Sequence, residues 1–244
     1  MATPSAATEQ HTHHGHHPHL QHHFVSMEQQ FSTAKLGMWL FLITEILLFS
    51  GMFVAYAVFR YWYPEIFHVG HHFLDVHWGA INTIVLLTSS WTVVMAISSI
   101  QHGDQKKLVA FLVATVALAL IFMGIKYIEY SHKIHEGLLP GAAFSYPVEE
   151  LKHLIQETLQ ITDNARIEAI VSRIPIFFTI YFVMTAIHGL HVLGGIIVIS
   201  WLAYKAKQGT FDPMYYGPIE VTGLYWHLVD IIWIFLFPLL YLAA

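Results

Sequence analysis

Several ionisable side chains stand where their neighbours are apolar, and they set the chemistry open to this chain. Glu45 ends the run Met38-Trp39-Leu40-Phe41-Leu42-Ile43-Thr44-Glu45, nine residues into an apolar stretch. A carboxyl at such depth must face protein or water, and low dielectric favours its neutral form. It reads either as a glutamic acid hydrogen-bonded to a neighbouring helix or as a proton-linked group. Lys126 and Glu129 are three apart and can pair on one helical face; structural pairing near the membrane interface is the preferred account. His188 and His191 share a face in His188-Gly189-Leu190-His191, and His227 and Asp230 repeat the spacing in Trp226-His227-Leu228-Val229-Asp230. Two imidazoles and a carboxylate would ligate a metal if the two helices met at one height. Hydrogen bonding across helices is preferred, with Gly189, Gly194 and Gly195 permitting close backbone approach.

Other chemistries are missing from the sequence. No H-E-x-x-H run, Ser-His-Asp pattern, carboxylate pair or phosphate-cradling glycine loop occurs. The chain has no cysteine, which removes disulfides, thiolate metal sites and a thiol nucleophile. Eleven Lys+Arg in a net charge of −5 argue against nucleic acid as a partner. Charged residues make up 11% of the 244, against about 25% in a soluble domain. With 56% hydrophobic residues, the chain reads as an integral membrane protein.

The fold that positions these residues is then all-α, a membrane bundle of five transmembrane helices. The expected spans are 36–59, 78–100, 108–130, 174–204 and 222–242, each near or above the ~20 residues that cross a bilayer. Pro175 is expected in the first turn of the fourth span, and Pro238 is expected to kink the fifth near the Ile234 carbonyl. Aromatic residues such as Tyr61, Trp62, Tyr63, Tyr215 and Tyr216 suit interface anchoring. A long loop over 131–173 carries helical spacing at Leu151, Leu154, Ile155 and Leu159. A second short helix there would hold Ile167, Ile170 and Val171, capped by Asp163. This surface helix pair would cover neighbouring protein or lie at the interface.

Residues 1–34 form a His-rich tail with eight of the nineteen histidines and no signal-peptide pattern. A disordered polar tail is expected, with adventitious metal binding at most at His11, His13, His14, His16 and His17. Lys/Arg counts divide evenly between the two sides. The short loops with Lys106, Lys107, Lys205 and Lys207 favour a cytoplasmic N-terminus and an outside C-terminus. Residues 35–244 are then the membrane domain, with 131–173 as its long outside loop.

Three segments together resemble subunit III of the haem–copper terminal oxidases, the cytochrome c and quinol oxidase group. They are Lys35-Leu36-Gly37-Met38-Trp39-Leu40-Phe41-Leu42-Ile43-Thr44-Glu45-Ile46-Leu47-Leu48-Phe49, His188-Gly189-Leu190-His191-Val192-Leu193-Gly194-Gly195 and Tyr225-Trp226-His227-Leu228-Val229-Asp230-Ile231-Ile232-Trp233-Ile234-Phe235. Lys126-Tyr127-Ile128-Glu129-Tyr130 resembles the family's acidic end of the matching third span. The resemblance covers about residues 35–244 and implies the five-helix bacterial type. It lacks the two N-terminal helices that make a lipid-holding cleft in the longer form, unless a partner supplies them.

What the resemblance implies is a non-catalytic accessory subunit of a proton-pumping respiratory oxidase in a bacterial inner membrane. It would pack on subunit I, near subunit II, and support assembly, proton uptake and resistance to turnover inactivation. Haem and copper would sit in the partner subunits, with no redox centre here; structural phospholipid could bind. Cytochrome c is preferred to quinol as electron donor. Glu45 matches the family's buried, carbodiimide-reactive glutamate, while Glu129, His188, His191, His227 and Asp230 match interhelical polar positions. The 131–173 loop departs from the family's compact linker and could dock a further respiratory partner. The alternatives are a subunit III-like partner of a nitric oxide reductase, an independent proton-coupled transporter and a metal-binding membrane protein. The lack of inverted-repeat symmetry counts against the transporter.

Overall fold

The computed structural model describes residues 18–242, and the tail histidines from His11 to His17 lie outside them. Five helices are long and apolar enough to cross a membrane: α1 (Met27–Trp62), α3 (Val76–Gln101), α4 (Gln105–His135), α6 (Asn164–Lys207) and α7 (Gly217–Phe237), the last continued by a π-helical turn, Pro238–Leu242. Two shorter helices, α2 (Pro64–Gly70) and α5 (Val148–Leu159), lie together at one end. That end, with residues 71–75 and 136–163, is called the cap side below.

The sequence supplies the stops and starts. Ser26, Asp75, Asp104 and Asp163 each accept a hydrogen bond from a first-turn amide of the following helix. Pro64 opens α2 and Pro218 opens α7, where a missing N–H costs little. Gly103 and Gly209 take φ of 75°, which lets α3 turn sharply into α4 and ends α6 beside the loop to α7. All five expected spans fall inside these helices, which run further at nearly every end. Helix α1 begins at Met27, so part of the segment assigned to the tail is helical.

Expectations for the loop and the fourth span change as well. There is no separate second loop helix, because Ile167 and Ile170 lie in the first turns of α6 itself. With 44 residues, α6 is about 66 Å long, more than twice the ~30 Å hydrocarbon thickness. Its extra length forms a post on the cap side. Pro175 is consequently well inside the helix and not in its first turn. The helix continues because the loss is confined to the bond a residue 175 amide would make to Val171. Helix α5 is present as expected, but Leu151 and Ile155 are buried against α2 and α6 of the same chain.

Helices α4, α3, α7 and α6 pack in a ring, each against the next, and α1 lies outside against α7 and α6. The ring is filled by Leu86, Val93, Phe122, Tyr181, Val192, Trp226 and Trp233. Contact between α6 and α7 is close where Gly195 faces Trp226: a Cβ there would stand 2.4 Å from the ring. Gly189 has nothing within 4 Å, so it does not serve close approach as expected. At Pro238 the α7 ladder widens into the π turn, which places Tyr241 back inside the bundle.

Candidate functional site

The buried polar residues divide into three groups at different places in the bundle. The first joins α1 to α6. Glu45 Oε2 lies 2.7 Å from His191 Nε2, and His191 Nδ1 lies 2.7 Å from the Ile187 carbonyl oxygen. A carbonyl only accepts, so Nδ1 must carry a proton and donate it. In a neutral imidazole Nε2 is then bare. The 2.7 Å contact with Glu45 therefore holds one proton, carried either by a glutamic acid donating to imidazole or by an imidazolium donating to carboxylate. Tyr225 from α7 donates to the His191 carbonyl at 2.9 Å, and Phe49 packs edge-on to the ring at 5.2 Å. The side chains keep 14% and 19% exposure, so the pair lies at the edge of the bundle and is reachable from its surface.

The second group is centred on Glu129. Lys126 Nζ donates to Glu129 Oε2 at 2.8 Å, as the three-residue spacing predicts. The cluster is larger than a pair, however. Tyr181 and Tyr241 hydroxyls donate to Glu129 Oε1 at 2.8 and 2.5 Å, and Lys133 Nζ lies 3.5 Å from it. Lys126 also reaches the Tyr241 hydroxyl at 2.6 Å and sits 4.4 Å from the Trp233 ring centre. Lys133 donates to the Phe73 carbonyl at 3.0 Å. Three charges are thus buried together with their donors matched to acceptors, the condition under which buried ions are tolerated. Beside them, Tyr130 and Thr185 hydroxyls are hydrogen-bonded between α4 and α6.

The third group lies between α3 and α7. His227 Nδ1 is 2.6 Å from Ser90 Oγ, and Trp226 Nε1 donates to Ser89 Oγ at 3.0 Å. Asp230 is buried one turn on; Ser90 is near it, yet neither carboxyl oxygen is hydrogen-bonded. His188 is also buried without a partner, held by its faces and edges against Trp233 and Phe122. Asn82 on α3 is a third buried side chain with its polar atoms unpaired.

The structure puts the residues singled out in the sequence in different settings. His191 and His227 do tie helices together, but to Glu45 on α1 and Ser90 on α3, in different directions. His188 and Asp230 make no such bond. Among the described residues no three His, Asp or Glu side chains converge to hold a metal ion. Tyr181, Tyr241, Lys133 and Tyr225 were not singled out in advance. Lys133 could have been, since it stands four residues after Glu129 on the same helical face. The tyrosines carry no local signal, because their partners are 52 to 112 positions away or on the backbone of another helix.

Comparison with known proteins places this arrangement. The sequence profile of the family described as Cytochrome c oxidase subunit III matches residues 10–144 and 153–244. This chain belongs to the cytochrome c oxidase subunit III family. Its subunit III relatives include Cytochrome c oxidase subunit 3 of Synechocystis sp., 29% identical over 96% of this chain and 80% of the relative. Quinol oxidase subunit 3 of Bacillus subtilis is 29% identical over 89% and 92% of the two chains. Cytochrome c oxidase subunit 3 of Marchantia polymorpha is 28% identical over 85% and 67%. The stretch between the two matched segments of the subunit III profile, 145–152, is the entry to α5, inside the long loop.

Proposed function

We propose that this chain is a non-redox accessory subunit of a haem–copper respiratory oxidase, packed on subunit I with subunit II nearby. Haem and copper are held by those partners. Family membership supports the general role. The observation that carries it to particular residues is the 2.7 Å contact between Glu45 Oε2 and His191 Nε2 among the membrane-spanning helices. Such a pair can keep its proton or pass it on without creating an isolated charge in a low-dielectric medium. Glu45 is the proton-linked residue in this reading, and His191 is its positioning partner. Glu129 with its lysines and tyrosines, His227, His188 and Asp230 are interhelical polar positions that serve the fold.

The proposed setting is a bacterial inner membrane with the N-terminus cytoplasmic and the cap side outside. Lysines at the short turns opposite the cap support that orientation. The outer face of α5, bearing Glu149, Glu150, His153 and Glu157, is the part of the 131–173 segment left to meet a further respiratory partner. Relatives named for each donor are equally similar to this chain, so a donor assay decides between cytochrome c, the expected donor, and quinol.

Mild-detergent purification through this chain tests the role. Haem absorption, a co-purifying haem–copper subunit and oxygen consumption are expected. A colourless chain obtained alone in several mild detergents would overturn it. Glu45→Gln tests the site: assembly should persist while carbodiimide labelling is lost and turnover lifetime or proton uptake changes. Unaltered labelling and lifetime would remove Glu45 from the proposal.

A further inference from the structure

Between α4 and α6 a crevice of about 340 Å³ opens sideways towards the membrane. Tyr127, Leu190 and Leu193 at its mouth are exposed on the outer surface of the bundle, while Phe122 and Trp233 at its back are buried. Gly189 lines it too, with nothing within 4 Å of the place a Cβ would take. The α4 wall from Phe122 to Tyr130 is about 12 Å long. In volume and apolar lining the crevice falls within the range of small-molecule sites.

Polar side chains interrupt the lining at chosen places. His188 is 1% exposed, and neither of its ring nitrogens has a hydrogen-bond partner, which is costly for a buried imidazole. Its ring is held only by Trp233 and Phe122, so rotation about the Cβ–Cγ bond can present a nitrogen to the crevice. Near the cap-side end, Thr185 donates to the Tyr181 carbonyl at 2.6 Å, so Tyr130 is the donor in the bond between the Tyr130 and Thr185 hydroxyls. Thr185 does not need that bond, because its own proton is already placed. The half-buried Tyr130 hydroxyl can therefore turn to a guest and either donate or accept. Lys126 also lines the crevice, but its ammonium is taken by Glu129 and Tyr241.

Thr185 and His188 are separated by about 4.5 Å along α6, so the two polar stations stand close to one turn apart. An imidazole donates from one nitrogen and accepts at the other, and a phenol does both. Two such groups, one turn apart over an aromatic back wall, match a flat ring that carries oxygen at both ends and exchanges carbonyl for hydroxyl. An acyl chain would leave His188 unmatched, and a ring with a single hydroxyl would use one station only.

We propose that this crevice binds the head of one isoprenoid quinone, as quinone or quinol, with one ring oxygen at His188 and the other at Tyr130. The tail leaves past Leu190 and Leu193 into the membrane. Every residue involved belongs to this chain, so binding here does not depend on the oxidase role.

The test is to express the full chain in a membrane containing both benzoquinone and naphthoquinone types, purify it in mild detergent, and count extracted quinone and phospholipid. The unmodified chain should carry about one equivalent of quinone. Gly189→Leu puts a side chain into the crevice and should lose that equivalent with phospholipid unchanged. His188→Phe keeps the bulk of the ring without its nitrogens and should bind decyl-ubiquinone about tenfold more weakly, the worth of one hydrogen bond. A short-tailed azido-ubiquinone should photolabel α4 or α6 of the unmodified chain, with protection by decyl-ubiquinone and none by decylbenzene, which has ring and tail but no oxygen. No quinone on the unmodified chain, retention unchanged in both variants, loss of phospholipid in place of quinone, or equal protection by decylbenzene would each overturn the proposal. None of these readouts needs oxygen consumption or a partner subunit, so failure here and failure of the oxidase reading are distinguishable.

Discussion

At the scale of single residues, the carboxyls of Glu45 and Glu129 are held in opposite ways. Glu45 shares a proton with one imidazole at a surface-reachable edge, whereas Glu129 is surrounded by two ammonium groups and two phenols. Removing the Glu129 carboxylate leaves Lys126 and Lys133 buried without their anion. Glu129→Ala should therefore cost about 3–5 kcal/mol, seen as a large fall in thermal midpoint of the purified protein. His191→Ala should by contrast leave the midpoint nearly unchanged and alter the carbodiimide reactivity of Glu45. Equal destabilisation by both would show that the two sites do the same job. The sequence revealed Glu45, Lys126, Glu129 and His191 because a charge or imidazole amid apolar neighbours is conspicuous. Beyond the Lys126–Glu129 pair it did not reveal which groups meet, since His191, Tyr181 and Tyr241 come from other helices.

At the scale of elements, the glycines on α6 give a paired comparison. Gly195→Ala forces the new methyl into Trp226 and should destabilise by roughly 1–3 kcal/mol, while Gly189→Ala enters open space and should be neutral or slightly stabilising. Thermal unfolding of the two variants in one detergent checks both. The short turn into α4 supports a pH prediction. A side-chain hydrogen bond from Lys107 holds the Asp104 carboxyl below its usual value, so the cap is complete at and above that usual value and is lost only as pH falls through the lowered one. An isotope-labelled Asp104 should titrate low, and Lys107→Ala should move it upward. The five spans were legible from hydropathy alone, as was α5 from its spacing. Helix ends were not, because the turns of α1 before Leu36 are mostly polar, with only Met27, Phe31 and Ala34 apolar. The post at the start of α6 was misread because the polar residues between Asn164 and Arg173 resemble a loop helix until α2 and α5 are seen packed against it.

At the scale of the whole molecule, α1 is the outlier: its membrane window is 11% buried, against 28–44% for the other four spans. It touches the bundle mainly through Leu42, Phe49 and Tyr56, one residue every two turns, and through Glu45. In detergent without partner subunits, amide exchange in the middle of α1 should outpace that in α3, α4 and α7. Uniform protection across all five helices would count against this order. Within the assembly the same face is available to protein or lipid.

The π turn at Pro238–Leu242 has a consequence in biosynthesis. Helix α4 leaves the ribosome carrying Lys126, Glu129 and Lys133, long before Tyr181 is made and longer still before Tyr241, which bonds both Lys126 and Glu129. Until that final turn has been translated, the cluster in the middle of the protein is missing a wall. A transcript cut short before Pro238 would yield five nearly complete helices around charges with incomplete partners. Membrane proteases that sample exposed polar groups would thus be reading, at α4, whether the π turn had been translated.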